Sequence, residues 1–137
     1  MKAQSAIEYF AIATMILMFM VPIWLYMVTT QDQATRELSL SYSKNAVKQI
    51  ADTASLVHSQ GYPSKLNIKV YIPDGLSNVS VIGSTLIFNL DMGDHQSEIW
   101  YKSNAPLQGG ENIPLREGYY YFDITSYDTY VEINRTV

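Results

Sequence analysis

Hydrophobic and polar positions change their rhythm twice along this chain. From Tyr9 to Val28 twenty residues pass without a charge. At about 1.5 Å of rise per helical residue they cover roughly 30 Å, the thickness of a bilayer's hydrocarbon core. After Thr30 the chain turns polar, yet Ala34, Leu38, Tyr42, Ala46, Ile50, Ala54 and Val57 recur at intervals of three or four. That spacing is an amphipathic helical stripe. Asp32, Arg36, Glu37, Lys44, Lys48 and Asp52 mostly lie off it. No Gly or Pro stands between Pro22 and Gly61. Gly61 then favours a left-handed cap, and Pro63 cannot continue a helix. The pattern predicts one helix from about Ser5 to Gln60, roughly 80 Å long, kinked at Pro22 by the lost backbone donor. Its polar-half stripe is expected to pack against whatever follows.

From Lys65 the period becomes two. Leu66, Ile68, Val70 and Ile72 alternate with Asn67, Lys69 and Tyr71 until Pro73, a half-buried strand. Val79 and Val81 begin a second strand, and Gly83-Ser84 reads as a hairpin turn into Leu86, Phe88 and Leu90. Ile99 and Tyr101 mark a fourth. Asn104 to Arg116, with two Pro and adjacent Gly109-Gly110, reads as a loop. Tyr120, Phe122 and Ile124 form a fifth strand, and Val131 and Ile133 a sixth. The expected fold class is α+β: a long N-terminal helix followed by a small antiparallel β-sandwich-like head. The segments are residues 4–30, the hydrophobic helix; 31–62, its amphipathic continuation; and 63–137, the β domain.

Composition narrows the function classes. With 137 residues there is room for one domain plus an anchor. A net charge of −4 argues against nucleic acid as a partner. The chain has no Cys, so disulfides and thiolate metal sites are excluded. Lys2 precedes the apolar run, which places the N-terminus in the cytoplasm and the β domain outside the cell. Two sequons, Asn78-Val79-Ser80 and Asn134-Arg135-Thr136, agree with that side and make Asn78 and Asn134 candidate N-glycosylation sites.

Candidate chemistry is sparse. Asp91, Asp94, His95 and Glu98 fall within eight residues. They offer oxygen ligands that suit a hard cation, but the spacing fits no EF-hand, and the reading adopted is a solvated hairpin turn with no metal. No G-x-S-x-G, H-E-x-x-H or phosphate-binding Gly loop occurs, so neither an enzyme nor a cofactor is expected. Eleven Tyr are present, with Tyr119, Tyr120, Tyr121, Tyr127 and Tyr130 crowded near the C-terminus. Alternation puts Tyr119 and Tyr121 on the face opposite Tyr120. Outward Tyr suits contact with neighbouring subunits or a glycan, or simply β-propensity on a half-exposed sheet.

The start of the chain adds most. A secretory signal would have a shorter apolar region and a small-residue cleavage site after it; here Thr29-Thr30-Gln31-Asp32 follows. A plain membrane anchor accounts for the run but not for Glu8, a carboxylate at its lip, costly to bury in lipid and a functional candidate for that reason. Lys2-Ala3-Gln4-Ser5-Ala6-Ile7-Glu8-Tyr9-Phe10 followed by an apolar run resembles the class III signal peptide of archaeal type IV pilin-like proteins. That family often reads Gln-x-Ser-x-Glu-x-x-x-Leu. Gln4 and Glu8 match, whereas Ala6 replaces Ser and Ile12 replaces Leu. A single Lys in the leader and Ala3 in place of the commoner Gly also depart from the pattern. The resemblance implies a leader of residues 1–3, removed by a prepilin peptidase between Ala3 and Gln4, with the helix kept. It further implies that Gln4 and Glu8 serve subunit assembly in a cell-surface filament of copies of this chain. An assembly ATPase and a membrane platform would be partners, with the precursor inserted in the membrane. A membrane-anchored extracellular binding or adhesin domain that does not polymerise is the alternative.

Overall fold

The computed structural model describes residues 2–93 and 95–136, the side chains of Lys2 and Ala3 excepted. One helix, α1 (Lys2–Gln60), runs through Pro22 without interruption. It stops where the sequence predicts. Gly61 takes φ 78° and donates its N–H to the His58 carbonyl at 3.0 Å, closing the last turn with a residue that carries no Cβ penalty there. The chain divides into two compact units, Met1–Glu37 and Leu38–Val137. The second unit therefore takes in the last part of α1, and its boundary lies inside the segment 31–62 rather than after it.

Seven strands follow the helix: β1 (Lys65–Ile72), β2 (Leu76–Ile82), β3 (Thr85–Asp91), β4 (Gln96–Lys102), β5 (Leu107–Gly109), β6 (Gly118–Ser126) and β7 (Val131–Arg135). They make a four-stranded sheet in the order β1-β6-β7-β5 and a three-stranded sheet in the order β2-β3-β4. Every pairing is antiparallel except β5 with β7. This is the α+β architecture of the sequence, with two differences.

The first is β5, inside the stretch from Asn104 to Arg116 expected to be loop. Leu107 is buried and pairs in parallel with Val131, while Gly109 pairs with Ile133. A three-residue strand that follows Pro106 and ends on Gly109 is too short to show a period.

The second concerns the helix stripe. Ala46, Ile50, Ala54 and Val57 are buried as expected, but Ala34, Leu38 and Tyr42 are exposed. Ser43, Val47 and Ala51 are buried instead. A step of four residues turns an α-helix by about 400°, so repeated steps of four drift by about 40° each. Leu38 and Ala54 consequently lie about 160° apart around the axis, and one face cannot hold both.

Alternation carries the rest of the core. β3 is the central strand of its sheet and buries Leu86, Phe88 and Leu90 completely while the residues between stay half-exposed. Val70 and Ile72 from β1, Phe122 and Ile124 from β6, and Val131 and Ile133 from β7 meet them. Ala46, Val47, Ile50, Ala54 and Val57 of the helix complete the same cluster. Polar contacts tie the helix to each sheet's strands or their continuation. Gln49 Nε2 donates to the Lys69 carbonyl of β1 at 3.3 Å. Ser55 Oγ lies 3.0 Å from Ser103 Oγ and accepts the Asn104 N–H at 3.1 Å, just after β4.

Candidate functional site

The first candidate is the N-terminal stretch of α1. Every residue from Gln4 to Thr35 is exposed, including Phe10, Met18, Trp24 and Tyr26. Its most apolar window has a mean hydropathy of 2.2, and the helix is long and apolar enough to cross a membrane. A helix apolar on all sides needs lipid or other protein around it. Its hydroxyls are arranged for such surroundings. Thr14 donates to the Phe10 carbonyl at 2.8 Å, Thr29 to the Tyr26 carbonyl at 2.9 Å, and Thr30 to that same carbonyl. Each of these threonine hydroxyls is thus satisfied within the helix.

Glu8 has no such provision. It is exposed near the start of the run and has no hydrogen bond or ion pair among the described residues. Gln4, one turn earlier, is exposed on the same helix. Ala3 belongs to α1, but its side chain lies outside the described residues, so the proposed cleavage point is placed only by its backbone.

The acidic turn forms no ligand cluster among the described residues. Asp91 Oδ1 accepts the Gly93 N–H at 3.1 Å, and the Met92 N–H reaches the His95 carbonyl at 3.1 Å. Asp94 is outside the described residues. Both sequon asparagines are exposed, but their settings differ. Asn78 sits on β2, an edge strand, at a shift of register against β3. A shallow groove of about 480 Å³ lined by Ser77, Asn89, Gln96, Ser97 and Glu98 adjoins it. Asn134 is on β7, inside its sheet and opposite Asp123, and its sequon threonine, Thr136, accepts a hydrogen bond from Asn67 at 3.0 Å.

The second candidate surface is the outer face of β1 and β6. Tyr119 and Tyr121 point outward and are exposed, while Tyr120 is half-buried against the core. The register sets Lys69 opposite Tyr121 and Tyr71 opposite Tyr119. Lys69 Nζ lies 4.6 Å from the Tyr119 ring centre and 5.8 Å from that of Tyr121. Tyr71 packs between Tyr42 of the helix and Tyr119, with ring centres 5.1 and 5.0 Å away. Its hydroxyl donates to Glu117 Oε1 at 2.5 Å, and that bond to a carboxylate pushes its pKa up to about 12. Further along, Asp123 accepts from Asn67 at 2.7 Å and pairs with Lys65 at 3.0 Å; these two partners, Asn67 foremost, hold its carboxyl below the usual range. The sequence pointed to the C-terminal tyrosines but not to Tyr42, Lys69 and Tyr71. The readable signal was Lys69-x-Tyr71 alternating in the same phase as Tyr119-x-Tyr121.

No protein-family model, curated protein or solved structure matches this chain.

Proposed function

We propose that the chain is a pilin-like structural subunit of a cell-surface filament, assembled through its N-terminal helix. The observation that carries this reading is the apolar run of α1 from Tyr9 to Val28, exposed throughout, with one carboxylate, Glu8, at its edge. A plain anchor needs the apolar run and has no use for the carboxylate. In the filament reading, a prepilin peptidase cuts between Ala3 and Gln4, and the new α-amino group of Gln4 is a cation one turn from Glu8. In apolar surroundings neither charge is cheap without a partner. The Glu8 carboxylate meets the amine of a neighbouring copy or of its own chain. Opposite charges about 4 Å apart attract by about 4 kcal/mol at an effective dielectric of 20, before desolvation is subtracted. The pair therefore fixes axial register more than it adds stability.

Lipid already hides the helix from water, so transfer from membrane to filament gains mainly packing. Assembly then needs an energy-driven machine, an ATPase with a membrane platform. The resemblance of residues 2–12 to archaeal type IV pilin-like leaders supports the same partners and an extracellular head.

The test has two parts. Mass spectrometry of surface material should find a mature chain that begins at Gln4. In cells, Glu8→Gln should insert into the membrane as wild type does and be largely missing from filaments, with Glu8→Asp intermediate. A chain that begins at Met1 and stays monomeric in detergent extracts would replace this reading with a membrane-tethered binding domain. Equal filament yield from wild type and Glu8→Gln would remove the role of the carboxylate.

A further inference from the structure

The helix-driven assembly proposed above makes no use of the outer face of β1 and β6. Exposed Tyr119 and Tyr121, two residues apart on one strand, project from the same face about 7 Å from each other. Tyr71 and Tyr42 extend this aromatic surface to the helix. Aromatic clusters of this kind on a solvent-facing surface mark interaction sites.

The charges on the face select the ligand. Lys65 neutralises Asp123, which also accepts from Asn67, whereas Glu117 accepts from the Tyr71 hydroxyl and keeps its charge. The sole ion pair among the described residues is Lys65 with Asp123. The Lys69 ammonium is thus left with two phenol rings as partners and no carboxylate. An anion approaching from solvent meets a cation whose flanks are aromatic. The Tyr119 and Tyr121 hydroxyls have no hydrogen-bond partner among the described residues and face outward with it. Aromatic surface for C–H faces, free hydroxyls for hydroxyls and one cation for a carboxylate together describe a uronic acid.

We propose that this face binds acidic polysaccharide, with a uronate carboxylate on Lys69 and sugar rings lying on Tyr119 and Tyr121. Tyr119 and Tyr121 are both exposed along one strand, so a single sugar covers only part of the pair, and a chain that lies along the strands gains the contact. Many heads presented together on one surface raise the apparent affinity through avidity. Binding does not depend on whether the chain polymerises.

The test passes the full chain in detergent micelles over immobilised polygalacturonate, dextran and polyglutamate at low salt. Retention is expected on polygalacturonate, with little on dextran. An exposed charge pair is worth about 0.2–1 kcal/mol, so Lys69→Gln should weaken retention about 1.4- to fivefold. Lys69 is exposed, and this change leaves the core untouched. The double variant Tyr119→Ala, Tyr121→Ala should lose about tenfold, which is about 1.4 kcal/mol for two rings. Retention on polyglutamate equal to that on polygalacturonate would show a charge-only surface and overturn the proposal. Failure of the wild type to bind polygalacturonate, or unchanged binding by Lys69→Gln, would overturn it too. So would a tyrosine variant that retains binding but loses contact between subunits.

Discussion

The head does not end where its strands begin. Ile50 lies on the helix, is completely buried, and belongs to the same cluster as Phe88 of β3 and Phe122 of β6. Ile50→Ala removes buried methyl and methylene groups and leaves a cavity between the helix and the sheets. Such truncations cost about 2–5 kcal/mol, a large share of the 5–15 kcal/mol typical of a whole domain. Since about 1.4 kcal/mol is a factor of ten, native-state hydrogen exchange at the Phe88 and Phe122 amides should speed up about 30-fold to several thousandfold. The measurement uses the full chain in detergent. Leu56→Ala is the matched control, because Leu56 is on the same helix and 50% exposed; exposed substitutions of this kind stay within about 0.5 kcal/mol. If Ile50→Ala left the exchange of Phe88 and Phe122 at the rate of the Leu56→Ala control, the helix would not be part of the head's cooperative core.

Three further outcomes are expected. Tyr71 has a folded-state pKa of about 12, above its ordinary 10.0, so its contribution to stability is complete below pH 10 and disappears as pH rises through about 12; ultraviolet phenolate titration should show one late tyrosine, missing in Glu117→Gln. Asp123 is shifted downward from 3.8, so its contribution is present above that value and is lost as pH falls through the lower folded pKa; Asn67→Ala should flatten this acid limb in thermal melts recorded from pH 5 downward. Gly109 takes φ 84°, and a Cβ there would meet the Ile133 carbonyl oxygen at 2.5 Å; Gly109→Ala should lower stability by more than about 1 kcal/mol in urea unfolding, whereas Gly83→Ala, with open space around it, should show only the cost of its positive φ.

The sequence made six of the seven strands legible because their inward residues alternate over several positions, as Leu86, Phe88 and Leu90 do. Gly61 and Pro63 marked the helix end because both act through local backbone geometry. What escaped depends on long-range placement. β5 is defined by parallel pairing with Val131 and Ile133, partners more than twenty residues away. The buried helix face turned on an angle: steps of four look like a stripe on paper, yet Leu38 and Ala54 project in nearly opposite directions. Val47 and Ser43 became core residues because they share a side with Ile50. Of the candidate sites, Glu8 was legible as a charge at the edge of an apolar run. The Lys69 surface needed the pairing register, since fifty residues separate Lys69 from Tyr119 in the chain.

The bond from Gln49 to the Lys69 carbonyl has a consequence for crowding. β1 is an edge strand, and an open edge invites pairing with the strand of another molecule. Here an amide from the helix occupies one of its outward acceptors, and the helix backbone, already satisfied internally, has no ladder to offer in return. At that position a strand approaching β1 finds its acceptor already taken. Contact with another molecule there falls to side chains, which can be changed one at a time without extending the sheet.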